Sequence, residues 1–232
     1  MVTVKRWCID LLGLLFPNIC NACGTNLFYS EDIICTKCLF DLPFTDYHVY
    51  NENRVVKQLW GRLPLNAAMA MLYFRKGAKV QSLIHNLKYN GKTEVGTFLG
   101  GLLGERLKAS PYYMGIDIII PVPLHQKKLR TRGYNQSTFI AEGASKKMDV
   151  RFSEDILIRS VSTESQTKKN RFNRYENMQD VFKINFANQI LGKHILLVDD
   201  VITTGATLEA CANALLDKGA SKVSIAALAF AE

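Results

Sequence analysis

The chain has 232 residues, of which 48% are hydrophobic and 22% are charged, a composition that excludes a disordered or fibrous protein. No apolar run reaches the roughly 18 residues of a membrane span, so the sequence predicts a soluble globular protein with one sizeable domain and a small additional lobe. The formal net charge is +8, and the whole basic excess lies after residue 65, which favours a polyanionic partner such as a phosphorylated metabolite or a nucleic acid.

The first 16 residues combine a basic start with an apolar middle, as a secretory signal does. Asp10 interrupts the apolar stretch, and no cleavage site of small residues follows before Pro17. Because the apolar residues recur at helical spacing, we instead expect a short amphipathic helix that packs on the body of a cytoplasmic protein.

Four of the six cysteines form two Cys-x-x-Cys pairs with eleven residues between them: Cys20, Cys23, Cys35 and Cys38. Two such pairs on tight turns can converge on one tetrahedral Zn²⁺ ion. The alternative is two disulfides, which belong to oxidising compartments and leave Cys8 and Cys211 without partners. We therefore predict a structural zinc site, closed by four thiolates, in a lobe that spans residues 1–45.

Residues 46–65 are interpreted as a connector with turn residues at each end, and one larger domain is expected over residues 66–232. The elements predicted in the first part of this domain are a strand over 67–74, helices over 79–88 and 93–108, a strand over 116–121 and a helix over about 135–147. The run over 116–121 is short, β-branched and almost wholly apolar, which is typical of a strand buried on both faces of a parallel sheet.

Residues 160–180 form a polar stretch without strand or helix periodicity, and loops of this length are usually functional or disordered. After this loop the pattern is regular again. The predicted elements are a strand over 194–198, a helix over about 206–218 and a strand over 223–228, which together make a βαβ unit.

The turn inside the βαβ unit carries the residues with the clearest chemistry. Its first strand is followed by Asp199 and Asp200, and the next residues lead into the helix: Thr203, Thr204, Gly205, Ala206 and Thr207. Free N–H groups at a helix N-terminus and threonine hydroxyls suit a monophosphate, and Gly205 lets the backbone approach the anion without a Cβ in the way. Adjacent carboxylates suit sugar hydroxyls or a divalent cation. The turn therefore predicts a site for a ribose 5-phosphate.

Residues 198–207 resemble the motif that binds phosphoribosyl pyrophosphate (PRPP) in type I phosphoribosyltransferases. With four further segments (residues 87–92, 121–124, 132–136 and 165–177) and the four-cysteine lobe, nearly the whole chain resembles the ComF family, which is related to the GntX proteins. The resemblance implies an α/β fold in which a type I phosphoribosyltransferase-like parallel sheet, flanked by helices, follows a small zinc-ribbon-like lobe.

The resemblance also implies roles for individual residues. Asp199 and Asp200 would face the ribose hydroxyls and Mg²⁺, residues 203–207 would hold the 5-phosphate, and residues 160–180 would form a mobile hood. Lys88, Lys92 and Arg132 are our candidates to offset the charge of the pyrophosphate, although solvated surface charge is an equally good interpretation of them.

Two basic segments, residues 125–132 and 168–175, bring further cations and aromatic rings. Such mixtures bind single-stranded DNA, because cations follow the phosphates while rings such as Tyr134, Phe172 and Tyr175 stack on bases. Both segments are expected to flank the PRPP site, so their charges can also serve the small ligand alone. The sequence leaves these two alternatives open.

Three functions fit these observations. The first is a ComF-like protein that binds PRPP with Mg²⁺ and single-stranded DNA and acts with the DNA-uptake machinery in natural transformation, as the family does. The second is a metabolic phosphoribosyltransferase that transfers ribose 5-phosphate to a nitrogen acceptor and releases pyrophosphate. The third is a zinc-ribbon adaptor with an inactive transferase fold. The sequence leaves open whether the protein turns over a substrate.

Overall fold

The computed structural model of the protein describes residues 17–160 and 181–231. Four predictions fall outside these residues: the amphipathic helix at the start of the chain, the thiol of Cys8, the hood over 160–180 apart from its first residue, and the second basic segment, residues 168–175, with the rings of Phe172 and Tyr175.

Seven α-helices and six β-strands lie in the described residues. The helices are α1 (Thr36–Phe40), α2 (Arg54–Leu59), α3 (Lys79–Tyr89), α4 (Thr93–Ala109), α5 (Gln126–Arg132), α6 (Gln136–Met148) and α7 (Ala206–Asp217). The strands are β1 (Ala67–Phe74), β2 (Ile118–Pro121), β3 (Leu157–Arg159), β4 (Phe182–Ile184), β5 (His194–Ile202) and β6 (Lys222–Ala231). The predicted strand over 67–74 is confirmed, and the four helices predicted after it are confirmed to within one residue at each end.

Four strands form a parallel sheet in the order β1-β6-β5-β2. The central pair of strands, β5 and β6, begins with His194 opposite Lys222, and the edge strand β2 pairs with β5 from Ile118 opposite Ile195. Every residue of β2 is buried, as its apolar run predicted. Because all four strands are parallel, the loops that follow them lie along one edge of the sheet, which is where ligands bind in open α/β folds. Strands β3 and β4 form a separate antiparallel pair.

Strand β5 is longer than predicted, since it continues through the acidic pair to Ile202. The reason is its neighbour β6, which extends to Ala231 and keeps backbone partners opposite β5, with Asp199 opposite Ala227 and Val201 opposite Ala229. Asp199 and Asp200 are therefore neighbours within a strand, where successive side chains point to opposite faces.

The predicted connector contains a helix and packs against the sheet. Asn53 caps the N-terminus of helix α2, because its side chain accepts hydrogen bonds from the backbone N–H groups of Val55 and Val56. The same side chain donates a hydrogen bond to the carbonyl of Ala68 in β1. Val55 and Leu59 on this helix are fully buried. Just before it, Phe44 forms an antiparallel bridge with Leu72 of β1.

Helices α4 and α6 touch at backbone level because glycines face one another. A Cβ added at Gly100 would lie 2.2 Å from the carbonyl oxygen of Ile140, and one added at Gly143 would lie 2.1 Å from the carbonyl oxygen of Thr97. This close packing fixes α6, which begins beside the end of β5.

One hydrophobic core runs through the described residues. It includes Cys20, Cys35 and Cys38 from the amino-terminal lobe, Leu59 from α2, and the strands of the parallel sheet. None of the helices in this part of the chain has both the length and the apolar character needed to cross a membrane.

Candidate functional site

The two aspartates at the end of β5 have different partners. Asp199 Oδ1 accepts hydrogen bonds from Ser137 Oγ at 3.0 Å and from the backbone N–H of Asp200 at 2.8 Å. Asp200 is only 4% exposed, and its Oδ2 lies 2.9 Å from Lys88 Nζ. This contact is an ion pair rather than a directed hydrogen bond, since Asp200 Oδ2 accepts no hydrogen bond from any described residue.

Burial and the neighbouring Asp200 carboxylate raise the pKa of Asp199 to about 7. Hydrogen bonds from the Asp200 backbone and from Ser137, and the more distant charge of Lys88, oppose this rise without cancelling it. At neutral pH Asp199 is therefore partly protonated and partly an unfavourable carboxylate. A bound cation or hydroxyl donors would stabilise the carboxylate form.

The predicted phosphate loop lies between β5 and α7. Gly205 has a left-handed backbone with φ of +75° and forms the N-cap position of α7. The hydroxyl of Thr204 accepts a hydrogen bond from the backbone N–H of Ala206, the first residue of the helix, at 3.4 Å. The threonines Thr203, Thr204 and Thr207 are exposed. The N-terminal end of this 12-residue helix and three hydroxyls are therefore open to an anion.

Gly205 is required here for a different reason than the sequence predicted. A Cβ at this position would lie 2.6 Å from Leu59 Cδ2, so the space beside Gly205 is occupied by a side chain of helix α2 and not available to an anion. Two neighbours of Leu59 also contact the loop. Gln58 Nε2 donates a hydrogen bond to the carbonyl of Thr203, and Arg62 Nη1 donates one to the carbonyl of Thr204 at 2.8 Å.

Lys88 and Arg132 line one cleft of about 410 Å³ together with two more lysines and two tyrosines: Lys127, Lys128, Tyr89 and Tyr134. The guanidinium of Arg132 donates to Gln136 Oε1 and lies over the ring of Tyr89, 5.4 Å from its centre. Because Lys88 also pairs with Asp200, this basic cleft is continuous with the acidic pair.

Two of the residues singled out in the sequence have other surroundings. Lys92 lies 3.8 Å from Glu94 and lines a second cleft beside Cys20 and Cys23, so the structure does not bring it to Lys88 and Arg132. Tyr134 is half-buried, lines the basic cleft, and donates its hydroxyl to the carbonyl of Leu87, so its stacking role stays a prediction.

The four predicted metal ligands, Cys20, Cys23, Cys35 and Cys38, are brought together. Their Sγ atoms all lie within 4.8 Å of one another, and no disulfide joins the described cysteines. A tetrahedral ion at a Zn–S distance of about 2.3 Å holds its sulfurs about 3.8 Å apart, and the Sγ atoms of Cys23 and Cys35 are 3.9 Å apart. Hydrogen bonding with Thr25 lowers the pKa of the Cys23 thiol to about 6, whereas burial raises that of Cys38. This donor set fits a metal ion.

Three residues of the site were missed by sequence reasoning: Gln58, Arg62 and Ser137. Ser137 follows directly after the segment 132–136 that carries part of the family resemblance, so its position was a usable signal. Gln58 and Arg62 gave none, because their contacts with the loop join residues more than 140 positions apart.

Comparison with known proteins identifies the domain that contains the acidic pair and the predicted phosphate loop. A family model for the phosphoribosyl transferase domain matches residues 135–232. The DNA utilization protein YhgH of Escherichia coli O6:H1 is 29% identical over 92% of this chain and 91% of its own length. Competence protein F of Haemophilus influenzae is 32% identical over 49% of this chain and 50% of its own, and competence protein ComFC of Bacillus subtilis is 35% identical over 44% and 39%.

The chain is thus similar to DNA utilization and competence proteins, and its carboxyl-terminal part matches the phosphoribosyl transferase domain. The matched domain begins at Asn135, the residue that caps α6, and contains Ser137, Asp199, Asp200 and the predicted phosphate loop. The fold is that of a type I phosphoribosyltransferase, in which a parallel sheet carries the ligand-binding loops on one edge. Lys88, Gln58, Arg62 and the four-cysteine cluster lie before the matched residues.

Proposed function

We propose that this protein is a member of the ComF family, that it binds PRPP with Mg²⁺ and also binds single-stranded DNA, and that it acts with DNA-uptake proteins in natural transformation. The names of its relatives, a DNA utilization protein and two competence proteins, support the biological role. One observation carries the ligand assignment: Lys88 joins the acidic pair beside the phosphate loop to a cleft of four cations. A sugar with a phosphate at one end and a pyrophosphate at the other matches this arrangement of charges.

The phosphate loop would hold the 5-phosphate of PRPP. The N-terminus of α7 carries a partial positive charge and the N–H groups of its first turn, which favour an anion by the helix dipole and by direct hydrogen bonds. The exposed hydroxyls of Thr203, Thr204 and Thr207 add donors at the same end of the helix.

The carboxylates of Asp199 and Asp200 would face the ribose hydroxyls and Mg²⁺. Their oxygen atoms are the ligand type that Mg²⁺ prefers, and Asp200 Oδ2 is buried without a hydrogen bond from any described residue. Mg²⁺ supplies charge neutralisation for pyrophosphate when it is bound. Asp200 would then exchange its ion pair with Lys88 for contacts with the ligand.

The basic cleft would receive the pyrophosphate end. Lys88 and Arg132 flank it, and Arg132 is held in place by Gln136 and by the ring of Tyr89. The planar guanidinium can bind two phosphate oxygens at once, while the lysines supply mobile point charges.

The outer part of the same cleft would bind single-stranded DNA. Lys127 and Lys128 are exposed on α5, and the ring of Tyr89 is 68% exposed beside them. Cations that follow a phosphate backbone next to an open ring are the usual features of such a surface.

The four cysteines would hold Zn²⁺ in a structural role. Four protein ligands leave no position for a substrate, so the ion contributes folding free energy to a small lobe and no reaction chemistry.

Thermal shift measurements test PRPP binding. PRPP with Mg²⁺ is expected to raise the melting temperature of the wild type, and Asp200→Asn is expected to remove most of that shift. Asp117→Asn is the matched control, because Asp117 lies before β2 at the opposite edge of the sheet and pairs with Lys193. Equal shifts in the wild type and in Asp200→Asn would contradict the assignment.

Fluorescence anisotropy with a labelled oligonucleotide tests DNA binding. Changing both Lys127 and Lys128 to Gln should weaken DNA binding. It should also reduce the slope of log affinity against log salt concentration by about two, because about two fewer counterions are released on binding. The matched control changes Lys146 and Lys147 to Gln, two exposed lysines on α6 that pair with Glu142 and Glu105. If no oligonucleotide binds at low salt, and pyrophosphate is released from PRPP with a nitrogenous base, the metabolic transferase is the better assignment.

A further inference from the structure

The phosphate loop of this protein is held by a part of the chain that lies outside the transferase domain. Helix α2 belongs to the connector after the four-cysteine lobe, yet Gln58 and Arg62 donate hydrogen bonds to the carbonyls of Thr203 and Thr204. Leu59, which is fully buried, fills the space beside Gly205. Three consecutive loop residues thus contact one short segment, residues 58–62.

These contacts determine where the loop directs its donors. In a planar trans peptide the C=O and N–H bonds point in opposite directions. A carbonyl of Thr203 that is turned toward α2 therefore directs the N–H of Thr204 away from α2, and the carbonyl of Thr204 does the same for the N–H of Gly205. An anion that binds at the N-terminus of α7 on the side away from α2 would meet both N–H groups.

Arg62 makes a second contact that matters for an anion. Its Nη2 pairs with the carboxylate of Glu209, which lies in the first turn of α7. A free carboxylate there would repel a phosphate at the same helix end. The guanidinium neutralises Glu209 with one nitrogen while it holds Thr204 with the other, and a lysine ammonium has no such fork.

We infer that Gln58 and Arg62 are positioning residues, which orient the N–H groups of Thr204 and Gly205 for the 5-phosphate of a ribose 5-phosphate ligand. This inference rests on the proposed function, since it presumes that the loop binds phosphate. It makes the connector part of the binding site, although the connector lies outside the matched domain.

Calorimetry on the full-length protein with three ligands separates positioning from a general structural effect. Arg62→Ala should weaken ribose 5-phosphate and PRPP by about the same factor, on the order of tenfold. Pyrophosphate, which lacks the 5-phosphate and binds at Lys88 and Arg132, should keep its wild-type affinity. Arg62→Lys should restore part of the loss, because it retains the charge beside Glu209 but not the fork.

Lys57→Ala is the matched control, because it removes an exposed cation from the same helix. It should leave the affinities for all three ligands unchanged. Gln58→Ala is a second test variant that keeps every charge, and it should also weaken ribose 5-phosphate and spare pyrophosphate. Wild-type affinity for ribose 5-phosphate in both test variants would overturn the inference, and so would an equal loss for pyrophosphate.

Hydrogen–deuterium exchange of the ligand-free protein distinguishes this failure from failure of the proposed function. Residues 203–207 should exchange faster in Arg62→Ala than in the wild type, while the rest of α7 keeps its protection. If the wild type binds neither PRPP nor ribose 5-phosphate, the proposed function is wrong, and the exchange result still tests whether α2 holds the loop. Unchanged exchange at residues 203–207 would show that it does not.

Discussion

The two carboxyl groups at the end of β5 have different partners to offset the free-energy cost of removing them from water. Asp200 has the ammonium of Lys88 at 2.9 Å, whereas the direct partners of Asp199 among the described residues are a hydroxyl and a backbone N–H. A partly buried carboxylate with neutral donors and a like-charged neighbour destabilises the folded state. The proposed ligand would offset this cost, since binding sites often retain residues that lower stability.

Asp199→Asn should therefore stabilise the ligand-free protein in EDTA at pH 8, by about 2 kcal/mol. The folded-state pKa of about 7 lies above the ordinary value of 3.8, so the folded state binds this proton more tightly than the unfolded state does. Stability associated with the proton is lost progressively as the pH rises from about 3.8 to about 7, and the asparagine amide avoids that loss.

Urea unfolding at two pH values checks this expectation. At pH 5 the gain from Asp199→Asn should be less than half of that at pH 8, because only the first part of the pH range between the unfolded and folded pKa values has been crossed. An equal gain at both pH values would show that charge is not its cause. The variant should also lose part of the melting shift that PRPP with Mg²⁺ produces.

Lys88→Met should destabilise the protein by about 3 kcal/mol, because it leaves the buried carboxylate of Asp200 without its counter-charge. The double variant with Asp200→Asn should recover most of this loss, and a double-mutant cycle in urea measures the coupling. Lys92→Met is the control, since Lys92 lines the other cleft. Additive effects of Lys88→Met and Asp200→Asn would contradict the ion pair.

At the level of elements, the packing of α4 against α6 positions one wall of the site. Gly100 and Gly143 allow the two backbones to touch, and this contact fixes the start of α6, where Ser137 reaches Asp199. A side chain at either glycine would meet backbone atoms, which cannot move aside as the end of a side chain can.

Gly143→Ala should consequently destabilise the protein by about 3 kcal/mol or more. Gly101→Ala on α4 is the control, because its Cβ would lie 3.7 Å from the side chain of Lys147, an ordinary contact. Helix propensity then predicts a gain of about 0.5 to 1 kcal/mol for the control. Both free energies follow from urea unfolding, and similar values for the two variants would refute the close contact.

For the whole molecule, the four-cysteine cluster and the transferase domain share one hydrophobic core. Cys20, Cys35 and Cys38 are buried in the same cluster as the sheet, and Asn86 of α3 donates a hydrogen bond to the carbonyl of Asn21 at 2.9 Å. Helix α3 carries Lys88 two residues further on, so the lobe lies against an element of the binding site.

Metal analysis should find about one zinc ion per chain, and Cys35→Ser with Cys38→Ser should abolish it. Because the core is continuous, this loss should lower the melting temperature of the whole protein rather than of a separate lobe. Cys211→Ala is the control, since Cys211 lies buried on α7 away from the cluster, and it should retain zinc. Full zinc content in the double variant would exclude the four-thiolate site.

Local signals predicted most of the fold. The strand over 67–74 and the helices over 79–88 and 93–108 have an apolar periodicity that each segment carries within itself, and the structure confirms them. Helix α2 was missed, because it has only six residues and its main signal is a single capping asparagine. The continuation of β5 through Asp199 and Asp200 was missed because the backbone partners that support it belong to β6.

The sequence by itself determined the βαβ unit, the acidic pair, the loop with Gly205 and the spacing of the four cysteines, because each of these depends on residues close together in the chain. Only the tertiary structure decided that Lys88 pairs with Asp200, that Ser137 supports Asp199, and that Gln58 and Arg62 hold the phosphate loop. The physical reason is that these contacts join residues between 62 and 145 positions apart. No local periodicity records such contacts, and they form only when the sheet and the connector pack into one core.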